Sequence, residues 1–300
     1  MRVLYLSGLT AVAACATPAT EASSFEQALA ERTVVDLAPL TAEQYGGSLT
    51  QAGLSFWQTE AGSTVTLDGA DVAIDAEGHF ALGFGVDAAP TAELLVVSVS
   101  GRRFERTLEI VDRGFPTSEV TGIASSKVQP RTEEQRARIA ADRVVKNAAR
   151  AAWTDEPYWK TGWIWPITGR ISTEMGSYRT LNGVPQSRPH SGVDVARVRG
   201  TPWEDFHGKD IVAPADGLIT LAEEDLYFEG GTIFIDHGQH IESAMLHLSR
   251  IDVQPGQVVR KGEVIGAVGM TGRSSGPHLH WTINWHGTPI DPALLVPPME

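Results

Sequence analysis

Short apolar or alternating runs, separated by turn dipeptides, fill the chain from about residue 55 to residue 112. Thr64 to Leu67 and Leu94 to Val99 are two such runs, followed by the turn signals Asp68-Gly69 and Ser100-Gly101. Short strands with this punctuation are typical of a small β-sandwich. The pattern therefore predicts an N-terminal, β-sandwich-like domain within residues 23–112.

One helix is predicted between the two halves of the chain, in a linker at 113–161. Thr132, with Gln135 three positions later, has the capping-box pattern that begins helices. The helix is expected over about 132–152, and its apolar stripe consists of Val144 and alanines. A stripe this shallow does not build a core of its own, so we expect a helical connector.

Strict alternation marks a strand near the end of the chain. Positions 278, 280, 282 and 284 are polar, whereas 279, 281, 283 and 285 are apolar, which predicts one buried and one open face. His278 and His280 then share the open face. His247 lies between Leu246 and Leu248, which we expect to face a core while His247 faces the other side.

The fold class predicted from these patterns is mainly β. It combines an N-terminal small β-sandwich, a helical connector and a C-terminal antiparallel β-sheet domain at 162–300. The length of 300 residues and the 42% hydrophobic content agree with a globular chain of two domains.

Charge and cysteine content exclude several classes of protein. The net charge of −13 disfavours binding of nucleic acid or of an anionic membrane through a basic surface. The single cysteine, Cys15, excludes a disulfide scaffold.

The first residues have the pattern of an export signal. Met1-Arg2 precedes an apolar stretch that is too short to span a bilayer. Val12-Ala13-Ala14-Cys15 closely resembles a bacterial lipobox, in which the cysteine becomes acylated. We therefore expect a signal peptide with its anchor and tether at 1–22, and a location in the cell envelope or periplasm with membrane contact only through a lipid on Cys15. The alternative is an ordinary signal cut after Ala16.

Candidate metal chemistry is concentrated in residues 162–300, which hold eight of the nine histidines. His190 and Asp194 would be about 13 Å apart in an extended strand, so a shared metal requires a bend near Ser191-Gly192. Histidine with carboxylate suits zinc, and three protein ligands with an open fourth position are typical of a catalytic site. On the strand at 278–285, either both histidines bind the metal, or one binds it and the other either hydrogen-bonds to a ligand or is catalytic.

A series of short motifs follows in order over about residues 165–292. The motifs are Gly169-Arg170-Ile171-Ser172, His190-Ser191-Gly192-Val193-Asp194, Ala213-Pro214-Ala215-Asp216-Gly217, Ile235-Asp236-His237-Gly238, Leu246-His247-Leu248-Ser249, Val258-Val259-Arg260-Lys261-Gly262, Gly269-Met270-Thr271-Gly272, Ser275-Gly276-Pro277-His278-Leu279-His280 and Ile290-Asp291-Pro292. Together they resemble the lysostaphin-type, or LytM-type, zinc endopeptidases that cleave peptide cross-links in bacterial cell walls.

The resemblance implies a site and a reaction. His190, Asp194 and His280 would bind one zinc ion per chain, and His247 and His278 would be the catalytic pair, with the division of their roles open. The substrate would be peptidoglycan stem peptides or cross-links. The alternative is a catalytically silent envelope adaptor that binds peptidoglycan or activates a cell-wall amidase, but such members lack zinc ligands that this chain keeps.

The chain departs from the family at 197–210, where the connection is longer than usual. Trp203 and Phe206 in this loop suggest either a surface loop packed by its own aromatic residues or a lid over the site. His207 is a further candidate ligand that would block the metal.

Overall fold

The structure is a computed structural model that describes residues 38–151 and 153–299. The predicted export signal, with Cys15, lies outside the described residues. Residues from Leu40 onward form one compact unit.

Two antiparallel sheets form the N-terminal sandwich and confirm that part of the predicted fold. The first has the order β1-β2-β5 and the second the order β4-β3-β6-β7. The strands are β1 (Ala42–Gly47), β2 (Leu54–Thr59), β3 (Thr64–Leu67), β4 (Ala70–Val72), β5 (His79–Gly83), β6 (Thr91–Val97) and β7 (Arg103–Glu109). Trp57, Phe80 and Leu94 are among the fully buried residues between the sheets.

The connector contains a strand and helical segments: β8 (Thr117–Val120), α1 (Ser125–Val128), α2 (Glu133–Ala149) and a 3-10 helix (Tyr158–Thr161). The capping box is present, because Thr132 Oγ1 accepts from the Gln135 amide at 3.1 Å and Gln135 Oε1 accepts from the Thr132 amide at 3.2 Å. No residue of α2 is buried. Within the described ranges, no helix combines enough length and apolar character to cross a membrane.

Helix α2 is held on the C-terminal sheet by charged side chains. Arg138 pairs with Asp225 at 2.7 Å, and Arg150 pairs with Glu242 at 2.6 Å. Lys146 pairs with Glu229 between them. A helix with so shallow an apolar stripe is therefore attached to the sheet by polar contacts.

The C-terminal domain is built on an eight-stranded antiparallel sheet of order β18-β14-β15-β16-β20-β12-β9, with β21 added to β20. Its strands are β9 (Arg170–Thr173), β12 (Val193–Ala196), β14 (Gly217–Leu226), β15 (Gly230–Asp236), β16 (Ile241–Leu248), β18 (Val258–Val259), β20 (His278–Trp285) and β21 (Thr288–Ile290). A second, three-stranded sheet contains β13 (Asp210–Val212), β17 (Arg250–Ile251) and β19 (Val264–Ala267). A third contains β10 (Tyr178–Leu181), which pairs with β8 on one side and with β11 (Val184–Pro185) on the other. A short 3-10 helix, Pro292–Leu294, follows.

Strand β20 places its apolar residues on one face as predicted, but the prediction of an open second face was wrong, because His280, Thr282 and Asn284 are also buried. Leu279, Trp281 and Ile283 are fully buried in the core, and His278 and His280 lie on the opposite face. Asp194 of β12 is the direct cross-strand neighbour of His280. The sheet register thus places a carboxylate and an imidazole side by side.

Strand β16 does not alternate as predicted at its end. Met245 and Leu248 are both in the core, whereas Leu246 is the cross-strand neighbour of His280 and packs in a different cluster. His247 has a positive φ of 68°, and the pairing with β15 has an irregular register at this point. The prediction that Leu246 and Leu248 share a core was wrong, because this bulge shifts the alternation by one residue.

The sandwich and the C-terminal domain share a core. Leu54 and Phe56 of β2 pack with the C-terminal core, while Trp57 packs inside the sandwich. The ring of Phe56 stacks on that of Trp159 with centroids 4.9 Å apart. At Gly83, a Cβ would come within 2.8 Å of the Trp285 side chain, so the backbone of β5 packs directly against that indole. The first sheet of the sandwich is therefore covered on both faces.

Candidate metal centre and active site

His190, Asp194 and His280 form a compact, buried cluster. His190 Nε2 lies 2.9 Å from His280 Nδ1, and Asp194 Oδ1 lies 3.1 Å and 2.9 Å from these two atoms. Three potential ligand atoms from separate parts of the sequence thus face one another.

Local geometry explains how His190 and Asp194 meet. Val193 and Val195 are buried in the core, so Asp194 between them points to the opposite face of β12. Gly192 lies at a bend, where a Cβ would come within 2.3 Å of the Trp281 carbonyl oxygen. Glycine at this position allows the chain to approach β20 closely and turn His190 back over Asp194.

The remaining polar atom of each cluster member has its own partner. His190 Nδ1 donates to the Glu174 carbonyl at 3.1 Å, and His280 Nε2 shares a hydrogen bond with Thr282 Oγ1 at 2.8 Å. A carbonyl oxygen only accepts, so Nε2 of a neutral His190 keeps its lone pair. Partners of this kind orient metal ligands.

The carboxylate of Asp194 is divided between two partners. Its Oδ1 faces the two histidines, while its Oδ2 accepts a hydrogen bond from Arg179. Burial alone would raise the pKa of Asp194, but the neighbouring imidazoles of His190, His278 and His280 hold it well below its ordinary value. Burial lowers the pKa of His280 to about 4. Asp194 is therefore anionic and His280 neutral at neutral pH, the forms that bind metals.

The donor set fits zinc. Nitrogen and oxygen ligands about 2.0–2.2 Å from a tetrahedral zinc would be about 3.3–3.5 Å from one another. The three atoms here are a few tenths of an ångström closer than that. Two imidazoles and one carboxylate whose ligand atoms lie this close together suit this metal.

His247 and His278 lie beside the cluster. Their ring centroids are 4.8 Å apart, and His278 Nε2 is 3.7 Å from Asp194 Oδ1. His247 Nδ1 donates to the Thr271 carbonyl at 2.9 Å, and His278 Nδ1 donates to the Gly276 carbonyl at 2.8 Å. Each neutral ring therefore has an unprotonated Nε2. Burial lowers the pKa of His247 well below its ordinary value.

All five predicted site residues line one cleft of about 1050 Å³. One wall comes from outside the C-terminal domain: Gly85, Val86 and Asp87 follow strand β5 of the sandwich, and Glu119, Val120 and Ile123 belong to the connector. These residues form no motif in the sequence, so only the packing of the sandwich and of β8 against the C-terminal domain shows their position.

The loop at 197–210 lies away from this cleft. Phe206 is buried in the core, and His207 makes an edge contact with Trp203 at 5.9 Å between centroids. No residue of the loop, which the structure describes in full, lines the cleft. The loop packs through its own aromatic residues and is not a lid.

Sequence reasoning missed two arginines in the cleft, Arg179 and Arg273. The neighbouring residues Tyr178 and Asn182 do not line the cleft. Tyr178 is exposed, and the Asn182 amide is bonded to the backbone of Ile123. The sequence contains no signal for Arg179, because its role depends on the pairing of β10 with β8 from the connector.

Comparison with known proteins places this site in a family. The model of peptidase family M23 matches residues 188–292, which include all five site residues. The DD-carboxypeptidase/endopeptidase Mpg of Neisseria meningitidis serogroup B is 39% identical over 43% of this chain and 27% of its own length. The peptidoglycan DD-endopeptidase ShyA of Vibrio cholerae serotype O1 is 34% identical over 41% of this chain and 26% of its own length.

A solved structure matches more of the chain. A Pseudomonas aeruginosa protein assigned to peptidase M23 is 26% identical, with a TM-score of 0.61, and the match covers 83% of this chain and 95% of that one. The chain spans only about a quarter of the length of the two curated relatives. The family model, the relatives and the shared fold agree with the resemblance found in the sequence: residues 188–292 form a domain of peptidase family M23, the family of LytM-type peptidases.

Proposed function

We propose that this protein is a zinc-dependent endopeptidase that cleaves peptide bonds in peptidoglycan stem peptides or cross-links. The observation that carries the proposal is the convergence of three ligand atoms within 3.1 Å of one another, with two further imidazoles in the same cleft. The names of the two curated relatives, both peptidoglycan or DD-peptide hydrolases, support the substrate class.

His190 Nε2, His280 Nδ1 and Asp194 Oδ1 would hold the zinc ion. A bound zinc supplies Lewis acidity that makes water a nucleophile at neutral pH and polarises a scissile carbonyl. The partners of the three ligands, Glu174, Thr282 and Arg179, keep the ligand atoms aimed at one point.

His247 and His278 would move the proton and stabilise charge. Their Nδ1 atoms are fixed by backbone carbonyls, so Nε2 of each ring is free to exchange a proton. One neutral imidazole accepts the proton of the attacking water on Nε2, and the other, in its protonated form with a second proton on Nε2, donates a hydrogen bond to the oxyanion that develops on the substrate. A proton held on an imidazole can then be given to the leaving amine.

The direct test is digestion of purified peptidoglycan by the zinc-loaded full chain, read by mass spectrometry of the released fragments. We expect new peptide termini with the wild type and none with His278→Ala. The matched control is His207→Ala, a histidine outside the cleft, which should retain activity. Zinc bound without cleavage by the wild type would overturn the endopeptidase proposal in favour of an adaptor.

Export and a lipid anchor are a separate part of the proposal and rest on the lipobox-like sequence that ends at Cys15. An acylated cysteine would keep the enzyme next to the cell wall without a basic surface. Labelling of cells with a palmitate analogue should mark the wild type and not Cys15→Ala. An unlabelled wild type would leave ordinary secretion as the better interpretation.

A further inference from the structure

Arg273 has an unusual environment for a buried cation. Its side chain lines the cleft and is partly buried. The guanidinium makes no hydrogen bond or ion pair at salt-bridge distance with any residue in the described ranges, and its Cζ lies 4.7 Å from the centroid of the Phe228 ring. Burial lowers the pKa of Arg273, as does the charge of Arg179. Taking a charge out of water without a partner is costly, so a site for an anion is indicated.

The charged neighbours of Arg273 have other partners. Glu229, the acidic group whose field favours the charged form of Arg273, pairs with Lys146 of α2. Arg179 is bound to Asp194. Arg188 also lines the cleft without an acidic partner among the described residues, but it is exposed to solvent. Arg273 is thus the partly buried cation of the cleft that is left to meet a ligand.

The position of Arg273 is fixed by the segment that also fixes His247. The Arg273 amide donates to the Phe228 carbonyl at 2.7 Å, and the Thr271 carbonyl accepts from His247 Nδ1. A Cβ on Gly272 would come within 2.5 Å of that same Phe228 oxygen. The backbone that carries Arg273 is therefore tightly packed, two residues from the carbonyl that binds His247.

We propose that Arg273 binds a carboxylate group of the substrate peptide, close to the bond that is cut. The planar guanidinium can donate two parallel hydrogen bonds to a carboxylate, and stacking on Phe228 orients its plane. The carboxylate has two possible sources, a free C-terminus or an acidic side chain. This inference rests on the proposed function, since it names a feature of the substrate of the same site.

The test separates the two sources of carboxylate. An N-acetylated tetrapeptide that ends in D-alanyl-D-alanine and carries one acidic side chain is prepared with each carboxylate either free or as the carboxamide. Dissociation constants are measured by calorimetry on the zinc-loaded full chain carrying His278→Ala, so that no turnover is required. We expect one of the two replacements to weaken binding by about 10- to 100-fold.

When Arg273→Gln is added, the peptides with the free and the amidated carboxylate should bind equally well. Arg188→Gln, which removes the exposed cation, should leave the difference in affinity between them intact. Zinc content and melting temperature check that each variant is folded. If Arg273→Gln does not fold, Arg273→Met, which keeps an apolar stem over Phe228, takes its place.

The inference is overturned if amidation of neither carboxylate weakens binding, or if the difference in affinity between free and amidated peptides survives the loss of Arg273. It is also overturned if Arg188→Gln removes that difference equally. Discrimination that depends on Arg273, in a protein whose wild type cleaves no peptidoglycan, would retain the carboxylate site and reject the endopeptidase proposal.

Discussion

Arg179 donates a hydrogen bond to Oδ2 of Asp194, while Oδ1 of the same carboxylate faces His190 and His280. One oxygen is therefore occupied by a side chain and the other remains for a metal. Arg179 lies on β10, which pairs in parallel with β8 of the connector. A strand outside the family-matched region thus supports the orientation of a proposed zinc ligand.

Arg179→Gln should weaken zinc binding. Without the guanidinium, the Asp194 carboxylate loses the contact that orients it, and loss of such outer contacts typically costs about 10- to 100-fold in metal affinity. The lost positive charge acts in the opposite direction, but we expect the loss of orientation to be the larger effect, because it misplaces one of only three proposed protein ligands. Competition with a chromophoric chelator measures the affinity. Arg188→Gln serves as the charge-matched control, and equal or tighter zinc binding by Arg179→Gln would contradict the prediction.

Substitutions of the proposed zinc ligands and of the proposed catalytic histidines should have different effects on zinc content and on cleavage rate. His190→Ala or Asp194→Ala removes a ligand atom from the cluster, and we expect substoichiometric zinc after dialysis. His247→Ala should retain one zinc ion per chain and lose about 10²- to 10⁴-fold in cleavage rate, the usual contribution of a general acid or base. Zinc analysis and peptidoglycan digestion on the same samples make the comparison. Full zinc content in Asp194→Ala would remove that residue from the ligand set.

Arg150→Ala should destabilise the protein by about 3 kcal/mol, because it leaves the buried Glu242 carboxylate without its cation. Arg150 Nε lies 3.0 Å and 2.9 Å from the two Glu242 oxygens, and Glu242 is 1% exposed. Urea unfolding measures the free energy. Adding Glu242→Gln should recover part of the loss, since a neutral amide is cheaper to bury. Arg143→Ala, an exposed change on the same helix, should have little effect.

His237 should make the protein less stable in acid. It is fully buried, with Nδ1 2.7 Å from the Asp216 carbonyl oxygen and Nε2 2.9 Å from Ser243 Oγ. Burial lowers its pKa to about 4. The unfolded chain therefore binds the proton first as the pH falls, so the contribution to stability is complete above about pH 6.5 and is lost between about 6.5 and 4.

The expected loss is about 3 kcal/mol over that range. The adjacent Asp236 acts with the opposite sign, because burial raises its pKa to about 6, so the effect is measured as the difference between the wild type and His237→Gln. That difference in the free energy of unfolding should shrink as the pH falls from 7 to 4. His207→Gln should follow the wild type, and a pH-independent difference for His237→Gln would refute the assignment.

Local patterns in the sequence determined much of the secondary structure and the fold class of this protein. The polar and apolar alternation of β20, the capping box of α2 and the β-rich fold class all follow from interactions between residues near in sequence, which repeat with a fixed period. The family resemblance, shown by the M23 match, selected the five residues that the structure brings into one cleft. Whether they bind zinc and catalyse stays a prediction.

Tertiary structure alone decided the features that depend on distant segments. The left-handed backbone at His247 breaks a periodicity that predicted the wrong face for Leu246. The contact of Arg179 with Asp194 needs β10 to be held by the connector, and the wall at 85–87 needs the sandwich to share a core with the C-terminal domain. Periodicity reports which face of a strand is buried, but not which remote surface will cover it.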